Sequence, residues 1–211
     1  GQTHIGDFRT IVVQDVFRRV VEEGGVATKH VRSISDPDDK TIRQAQREAS
    51  SMAEFTAEWA ARFREDCAAL GVLPPHVTGS AVAMKHLGEN FDLYSGGVEP
   101  VFPQGETVTG ETFASHWFHV APLMVDERET SQSLGNLYTL EDLVDRGFTP
   151  MELRYFLISG CYRQPLNFTF SSLTAAKKAL SKLSDWQRRL GVAPEFLLPG
   201  EEDFGPFGPV F

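Results

Sequence analysis

The chain has 211 residues, of which 41% are hydrophobic and 23% charged, a composition typical of a globular protein with one main core. Its formal net charge of -9 repels nucleic acid, and its two cysteines are too few for a disulfide framework, which suits a reducing compartment. No apolar run approaches the roughly 20 residues that cross a bilayer, and no signal peptide opens the sequence. We therefore expect no membrane span and a location in the cytoplasm or the mitochondrial matrix.

A helix is the first element that the sequence predicts. Residues 8 to 23 carry valines at spacings of three and four, with charged residues on the opposite side, and Gly24-Gly25 marks the end. Asp7 suits the N-cap position, because its carboxylate can accept hydrogen bonds from first-turn amides. We expect this capping role for Asp7 rather than a new catalytic one. Residues 26 to 35 alternate loosely and predict a parallel strand.

A second helix is predicted from about residue 41. Phe55, Trp59, Phe63 and Cys67 recur in it at four-residue steps, which places them on one face, toward the core. Cys67 is therefore predicted to be a core residue. The same is expected of Cys161, since the two cysteines form no Cys-x-x-Cys pair.

The rest of the chain contains a strand-like run at residues 120 to 125 and three helix starts. Thr139 and Thr149 are each followed by an acid three residues later, which is typical of a capping box, and a last helix is predicted from about Ser172 to Leu190. Its basic residues fit a solvated helix face better than a stripe for RNA, so we expect no tRNA partner. They are Lys177, Lys178, Lys182, Arg188 and Arg189.

The tail after this helix mixes glycine, proline and glutamate with several phenylalanines. Disordered solvating segments rarely carry so many aromatic residues. Two readings stay open: a strap lying on the domain or on a neighbour, and a floppy tail.

Two stretches resemble the ATP-handling signatures of class I aminoacyl-tRNA synthetases. His4-Ile5-Gly6-Asp7 resembles the signature His-Ile-Gly-His, and Glu129-Thr130-Ser131-Gln132-Ser133 stands where the family has Lys-Met-Ser-Lys-Ser before Leu-Gly-Asn. The segments at 30–40 and 91–99 are similar to segments of the cysteinyl-tRNA synthetase family in particular. The chain is therefore identified as resembling a degenerate and truncated member of that family.

This resemblance implies an α/β fold: the Rossmann-like, doubly wound parallel sheet of the synthetase catalytic domain. The family's connective-peptide insertion has no counterpart between Pro75 and Thr78, and the anticodon domain is expected to be absent. The strand that precedes the first signature in the family has no counterpart before His4, so the sequence is a fragment or the sheet has an open edge. We divide the chain into a catalytic-type domain at 1–170, a stem-contact helix at 171–192 and an extended tail at 193–211.

The resemblance also locates the site. Asp7, Glu129 and Gln132 occupy degenerate positions where the family has a histidine and two lysines that neutralise the triphosphate, so we assign no catalytic residue. A residual ATP site would use the turn and cleft residues that persist. These are His4, Gly6, Gly96, Gly97 and Glu99.

No metal site is expected, because the family's zinc ligands align with residues that lack a suitable side chain. The matched positions are Gly79, Gln104 and Val108. We accordingly expect no cofactor, with ATP and magnesium as the exception if Asp7 and Glu129 hold an ion against the phosphates.

Two functions remain open. The first is a non-catalytic paralogue kept as a structural or interaction subunit of a larger assembly. The second is an ATP-dependent ligase that activates an amino acid in an altered site and passes it to an acceptor other than tRNA.

Overall fold

A computed structural model describes residues 3–33, 51–79, 93–94, 116–130 and 134–191 of the chain. The helices are α1 (Ile5–Glu23), α2 (Met52–Ala69), α3 (Leu140–Asp145), α4 (Pro150–Ile158) and α5 (Phe170–Leu190). The strands are β1 (Val31–Ser33), β2 (Val77–Gly79), β3 (Leu93–Tyr94), β4 (His116–Trp117), β5 (Leu123–Val125), β6 (Arg128–Glu129) and β7 (Leu166–Phe168). Gln132, Gly96, Gly97, Glu99 and the tail after 191 lie outside the described residues.

Capping side chains determine where the later helices begin. The Thr139 hydroxyl accepts from the Asp142 amide at 3.2 Å, and the Thr139 amide donates to the Asp142 carboxylate at 2.8 Å. Thr149 and Glu152 form the same capping box in α4, whose first residue is Pro150. Both predicted starts are confirmed, because each capping box satisfies amides that have no partner inside the helix.

The strands form three small sheets. β1 pairs with β2 in parallel, and β3 pairs with β4 in parallel. The third sheet has the order β6-β5-β7, in which β5 is parallel to β7 and antiparallel to β6. Parallel pairs alternating with helices agree with the predicted α/β class, and the antiparallel β6 is a hairpin addition to it.

The core lies where α1, α3, α4 and α5 pack on β5 and β7. Its fully enclosed side chains include Ile5, Phe8 and Val12 from α1 and Leu153 and Leu157 from α4. Phe55 and Cys67 of α2 are buried as predicted. In the described residues no helix combines the length and the apolar character needed to cross a bilayer.

A buried carboxylate joins three parts of this core. Asp15 of α1, 1% exposed, accepts from Arg154 Nη2 of α4 at 2.6 Å and from Arg19 Nε at 2.9 Å. It also accepts from the amide of Leu73, in the link after α2, at 2.8 Å. Two guanidinium groups and one amide therefore compensate the charge that burial would otherwise penalise.

One prediction about this part of the chain is confirmed in part and another is wrong. The parallel strand expected at 26–35 is present, but it begins only at Val31; Val26 is 58% exposed, so no core contact extends the strand toward it. Cys161 is exposed and not a core residue, because it lies in the turn between α4 and β7. The spacing of the two cysteines in the sequence gave no information about that turn.

Candidate active-site cleft

The start of α1 and the segment after β5 meet in the fold. The Ile5 amide donates to the Tyr138 carbonyl at 2.8 Å, and His4 forms an isolated antiparallel bridge with Thr139. A Cβ atom on Gly6 would lie 3.0 Å from His4 Nδ1 and 3.7 Å from Thr130 Oγ1. Glycine at this position therefore allows the close approach, and His4 and Gly6 lie beside the segment that contains Glu129.

Asp7 is not the N-cap of α1, contrary to the prediction. His4 is the N-cap, with extended backbone angles (φ -100°, ψ 164°), because Ile5 is already helical and fully buried in the core. Asp7 is the third helical residue, and its Oδ2 accepts from the His4 amide at 3.3 Å. The same oxygen lies 3.3 Å from His4 Nε2. A carboxylate therefore stands at the positive end of the helix dipole.

Glu129 lies on β6, opposite Met124, and its side chain is exposed. Its backbone carbonyl accepts from Asn136 Nδ2 at 3.0 Å, which ties β6 to the loop that returns toward α3. The structure thus brings Glu129, His4, Gly6 and Asp7 to one region. It says nothing of the other predicted site residues, which lie outside the described part of the chain.

The hairpin between β5 and β6 is unusual in its backbone. Asp126 and Glu127 both have positive φ, 49° and 63°, as the two central residues of a tight turn between paired Val125 and Arg128. Such turns match the twist of the strands, but they favour glycine or asparagine. The Glu127 amide donates to Asn167 Oδ1 at 2.8 Å, which helps hold this conformation.

A cleft of about 330 Å³ opens beside this hairpin. Its lining residues are Val125, Asp126, Arg128, Leu134, Gly135, Asn136 and Tyr138. Arg128 and Tyr138 are the residues that sequence reasoning missed. Only the pairing of β6 with β5 and the chain reversal before α3 bring them together, although the position of Arg128 next to the predicted site residue Glu129 was a usable signal.

The buried guanidinium of Arg9 fixes the position of α1 relative to the strands. Arg9 is 1% exposed; its Nε donates to the Ala121 carbonyl at 2.8 Å and its Nη2 to the Gln164 carbonyl at 2.8 Å. These carbonyls precede β5 and β7. Because Arg9 lies less than two turns from His4, this contact also helps to position His4 relative to the strands.

The described residues contain no group of three or more His, Cys, Asp or Glu side chains placed to hold a metal ion. Gly79, which the resemblance predicts to stand at one zinc-ligand position of the family, ends β2 and has no side chain to offer. Gln104 and Val108 lie outside the described residues. The residues present in the described part therefore do not fit a tetrahedral zinc site.

The family model described as "tRNA synthetases class I (C) catalytic domain" matches residues 1–79 and 75–178. The chain belongs to this family. The predicted resemblance and the Rossmann-like α/β class are thereby confirmed. The two matched segments meet at 75–79, the place where the connective-peptide insertion was expected to be missing.

Individual cysteine–tRNA ligases are also similar in sequence to this chain. A cysteine–tRNA ligase of Opitutus terrae is 33% identical over 301 aligned positions, covering 89% of this chain and 66% of the relative. Those of Koribacter versatilis and Chlamydia felis are each 28% identical, covering 90% and 89% of this chain and 60% and 62% of the relative. The chain thus spans less than two thirds of the length of these relatives.

The alignments also bear on the missing insertion. Because 89% of this chain is spread over 301 aligned positions, the Opitutus relative carries on the order of a hundred residues inside the aligned span that this chain lacks. The cysteinyl-tRNA synthetase-like core, with α1 and the β5–β6 hairpin in contact, persists without them.

Proposed function

We propose that this protein is a non-catalytic cysteinyl-tRNA synthetase-like chain that acts as a structural or interaction subunit of a larger assembly. One observation carries the proposal: the carboxylate of Asp7 stands at the N-terminus of α1 and accepts from the His4 amide at 3.3 Å. A helix N-terminus attracts anions because its first amides point outward without partners. Here the protein's own anion occupies that environment.

The negative charge of Asp7 at this position makes the binding of a nucleotide phosphate electrostatically unfavourable. A phosphate at about 4 Å from a carboxylate meets a repulsion of about 4 kcal/mol per pair of unit charges at an effective dielectric of about 20. Glu129, on exposed β6 beside the same region, adds a second negative charge. Phosphoryl chemistry depends on cations and donors positioned in advance, and removing one such donor commonly costs about a hundredfold in rate. The charges of Asp7 and Glu129 therefore oppose the binding of a triphosphate at the start of α1.

Sheet edges that have no partner among the described residues favour an interaction role. Among the described residues β1 pairs only with β2, and β3 only with β4, so each parallel pair has edges without a described partner. Parallel sheets are normally covered on their faces and continued by further strands. Val20 and Val26, at the end of α1, are 65% and 58% exposed and add apolar surface. A protein partner that pairs with these edges is what the proposal requires.

Isothermal titration with Mg-ATP and with a non-hydrolysable aminoacyl-adenylate tests the loss of nucleotide binding. We expect neither ligand to bind the unchanged protein at micromolar concentration. The matched variant Asp7→His/Glu129→Lys/Gln132→Lys restores the cations of the signatures and should bind ATP at least about tenfold more tightly, a difference of about 1.4 kcal/mol. Micromolar binding by the unchanged protein would end the proposal.

The alternative is an ATP-dependent amino-acid-activating ligase with a non-tRNA acceptor. It is favoured by the retained approach of Gly6 to Thr130 and by Arg128, a cation that lines the cleft. In this case a magnesium ion held by Asp7 and Glu129 would carry the phosphates, since Mg²⁺ prefers oxygen ligands. Pyrophosphate exchange with each proteinogenic amino acid would detect the activity, and Arg128→Ala should abolish it while Arg64→Ala, an exposed site on α2, should not.

A further inference from the structure

The parallel strands β1 and β2 are joined just before they begin by His30 and His76. The His76 amide donates to the His30 carbonyl at 2.8 Å, and the His30 amide donates to Nδ1 of the His76 ring at 2.8 Å. The second bond differs from the bonds of a sheet ladder because a side chain, not a backbone carbonyl, accepts it. A titratable ring therefore completes the start of the pair, whose first paired residues are Val31 and Val77.

A second donor approaches the same ring from α1. Arg18 Nη2 lies 3.1 Å from His76 Nε2, and Arg18 Nη1 donates to the Pro74 carbonyl at 2.9 Å. A neutral imidazole has one nitrogen that can accept, because the other carries a proton. The neutral ring can therefore bond to one of its two donors, the His30 amide or Arg18. The protonated ring can bond to neither.

The groups around His76 disfavour its charged form. Desolvation by its neighbours is the larger cause that lowers the pKa of His76; Arg18 and Lys29 act in the same direction, and Glu22 acts against them. Glu22 also accepts from Arg18 Nε at 2.8 Å and from the Thr28 hydroxyl, so its charge is already compensated. His76 is exposed, and a proton can reach the ring without unfolding of the chain.

His30 is the other titratable ring at this point. Burial, followed by Arg32, Arg18 and His76, lowers the pKa of His30 to about 4, while Asp15 acts in the opposite direction. The His30 ring therefore stays neutral in the folded chain down to about pH 5. A bond that is lost above this pH is assigned to protonation of His76.

Anchors before His76 confine its release to a short segment. The Leu73 amide donates to the buried Asp15 carboxylate at 2.8 Å. Pro74 and Pro75 follow, and neither has an amide that could form another hydrogen bond. Release of the His76 ring therefore frees the start of β2 and leaves the Asp15 network in place.

We propose that His76 is a pH-dependent latch: the neutral ring accepts from the His30 amide and closes the start of the β1–β2 pair, and the protonated ring leaves this position and opens it. Because the closed state disfavours the proton, opening becomes easier as pH falls below about 6.5, the ordinary pKa of an imidazole. The latch lies where the two matched segments of the family model meet. It does not depend on whether the cleft binds a nucleotide.

Hydrogen exchange of the His30 amide, measured by NMR in the full chain, tests the latch. Its protection factor, which corrects for intrinsic exchange, should fall about threefold to thirtyfold between pH 7.5 and pH 5; the upper value is the limit set by an open-state pKa of about 6.5. The Leu153 amide, which donates to the Thr149 carbonyl at 3.2 Å in α4, is the reference for opening of the core. It should stay at least about tenfold more protected at both pH values.

Three variants separate the two rings. His76→Asn places an amide oxygen near the position of Nδ1, an acceptor that does not titrate, so the pH dependence of the His30 amide should vanish. His76→Ala removes the acceptor, and protection should be low at both pH values. His30→Gln keeps the backbone amide and the His76 ring, so the pH dependence should persist. Circular dichroism checks that the helices are intact in each variant.

Two results in the variants would overturn the proposal: an unchanged fall of protection in His76→Asn, or loss of the fall in His30→Gln. In the unchanged protein, a His30 amide whose protection does not vary with pH would also overturn it. So would a His30 amide as protected as that of Leu153, because its exchange would then require opening of the whole core.

Discussion

Two parts of α1, only two turns apart, differ in what their acidic residues do. Asp15 is 1% exposed and is held by Arg19, Arg154 and the Leu73 amide, whereas the Asp7 side chain is 51% exposed and contacts only local groups of His4 among the contacts described. The first acid joins α1 to the rest of the core. The second is the acid that the proposed function matches to a histidine of the synthetase signature.

The difference shows that the acid that holds the fold and the acid at the start of α1 lie in different environments. Arg9 and Asp15 satisfy buried groups, so their loss would leave unpaired charges or carbonyls in the core. Asp7 and Glu129 are exposed, and exchanging their charge changes the local electrostatic field at little cost to folding. Substitutions at these two exposed positions should therefore leave the frame of the domain intact.

The largest effect is expected from Asp15→Asn. The substitution keeps the shape of the side chain but leaves Arg154 and Arg19 facing a neutral amide, and breaking a buried pair in this way costs about 3–5 kcal/mol. Urea unfolding followed by circular dichroism measures the loss. A cost below about 1 kcal/mol would mean that water compensates the two guanidinium groups and that this network does not hold α1.

The second prediction concerns the pH dependence of stability that arises from His30, the residue before β1. Burial, assisted by Arg32, Arg18 and His76, lowers the pKa of His30 to about 4, while Asp15 acts in the opposite direction. The unfolded pKa is about 6.5, so the unfolded chain binds the proton first as pH falls. Stability is full above about pH 6.5 and should fall by about 1–2 kcal/mol by pH 5.

His30→Gln provides the comparison for this prediction. It removes the titrating ring and keeps the backbone amide that donates to His76 Nδ1 at 2.8 Å. The difference in unfolding free energy between pH 7.5 and pH 5 should be smaller in the variant than in the unchanged protein. Equal pH dependence in both would show that His30 is solvated enough to protonate in the folded state.

The sequence predicted the features that depend on residues close together in the chain. The helix starts at Thr139 and Thr149 follow from side chains three residues apart, and the family match followed from short motifs near His4 and Asn136. The N-cap of α1 was placed three residues late, since the burial of Ile5, a tertiary effect, draws the helix start forward. The residues that line the cleft also depend on tertiary contacts that the sequence does not show.

The cleft residues illustrate why the rest needed a structure. Arg128 and Tyr138 are ten residues apart and carry no shared motif, yet both line the cavity beside the hairpin. The turn at Asp126 and Glu127 lacks the glycine or asparagine from which a tight turn would have been predicted. Sequence patterns reveal preferences of the backbone, and here the paired strands override them.

The hairpin offers a third prediction, with the opposite sign. Glu127→Gly should stabilise the protein by about 1 kcal/mol, because glycine adopts positive φ without the steric penalty that a side chain carries. Arg128→Gly is the matched control: it places glycine in β6, where added backbone freedom should destabilise by about 0.5–1 kcal/mol. Thermal unfolding of both variants distinguishes them. Destabilisation by Glu127→Gly would mean that the Glu127 side chain makes a contact worth more than the backbone strain.

The smallest effect is expected from Asp7→Asn, the counterpart of Asp15→Asn on the same helix. The amide oxygen of asparagine can still accept from the His4 amide, so only the charge near the helix N-terminus is lost, at about 0.3–1 kcal/mol. Urea unfolding at low and high salt measures it, and salt should reduce the difference because the site is exposed. If Asp7→Asn instead cost as much as Asp15→Asn, the acid would be a structural group. Its presence at the N-terminus of α1 would then be explained by stability, and it would no longer support the proposed loss of nucleotide binding.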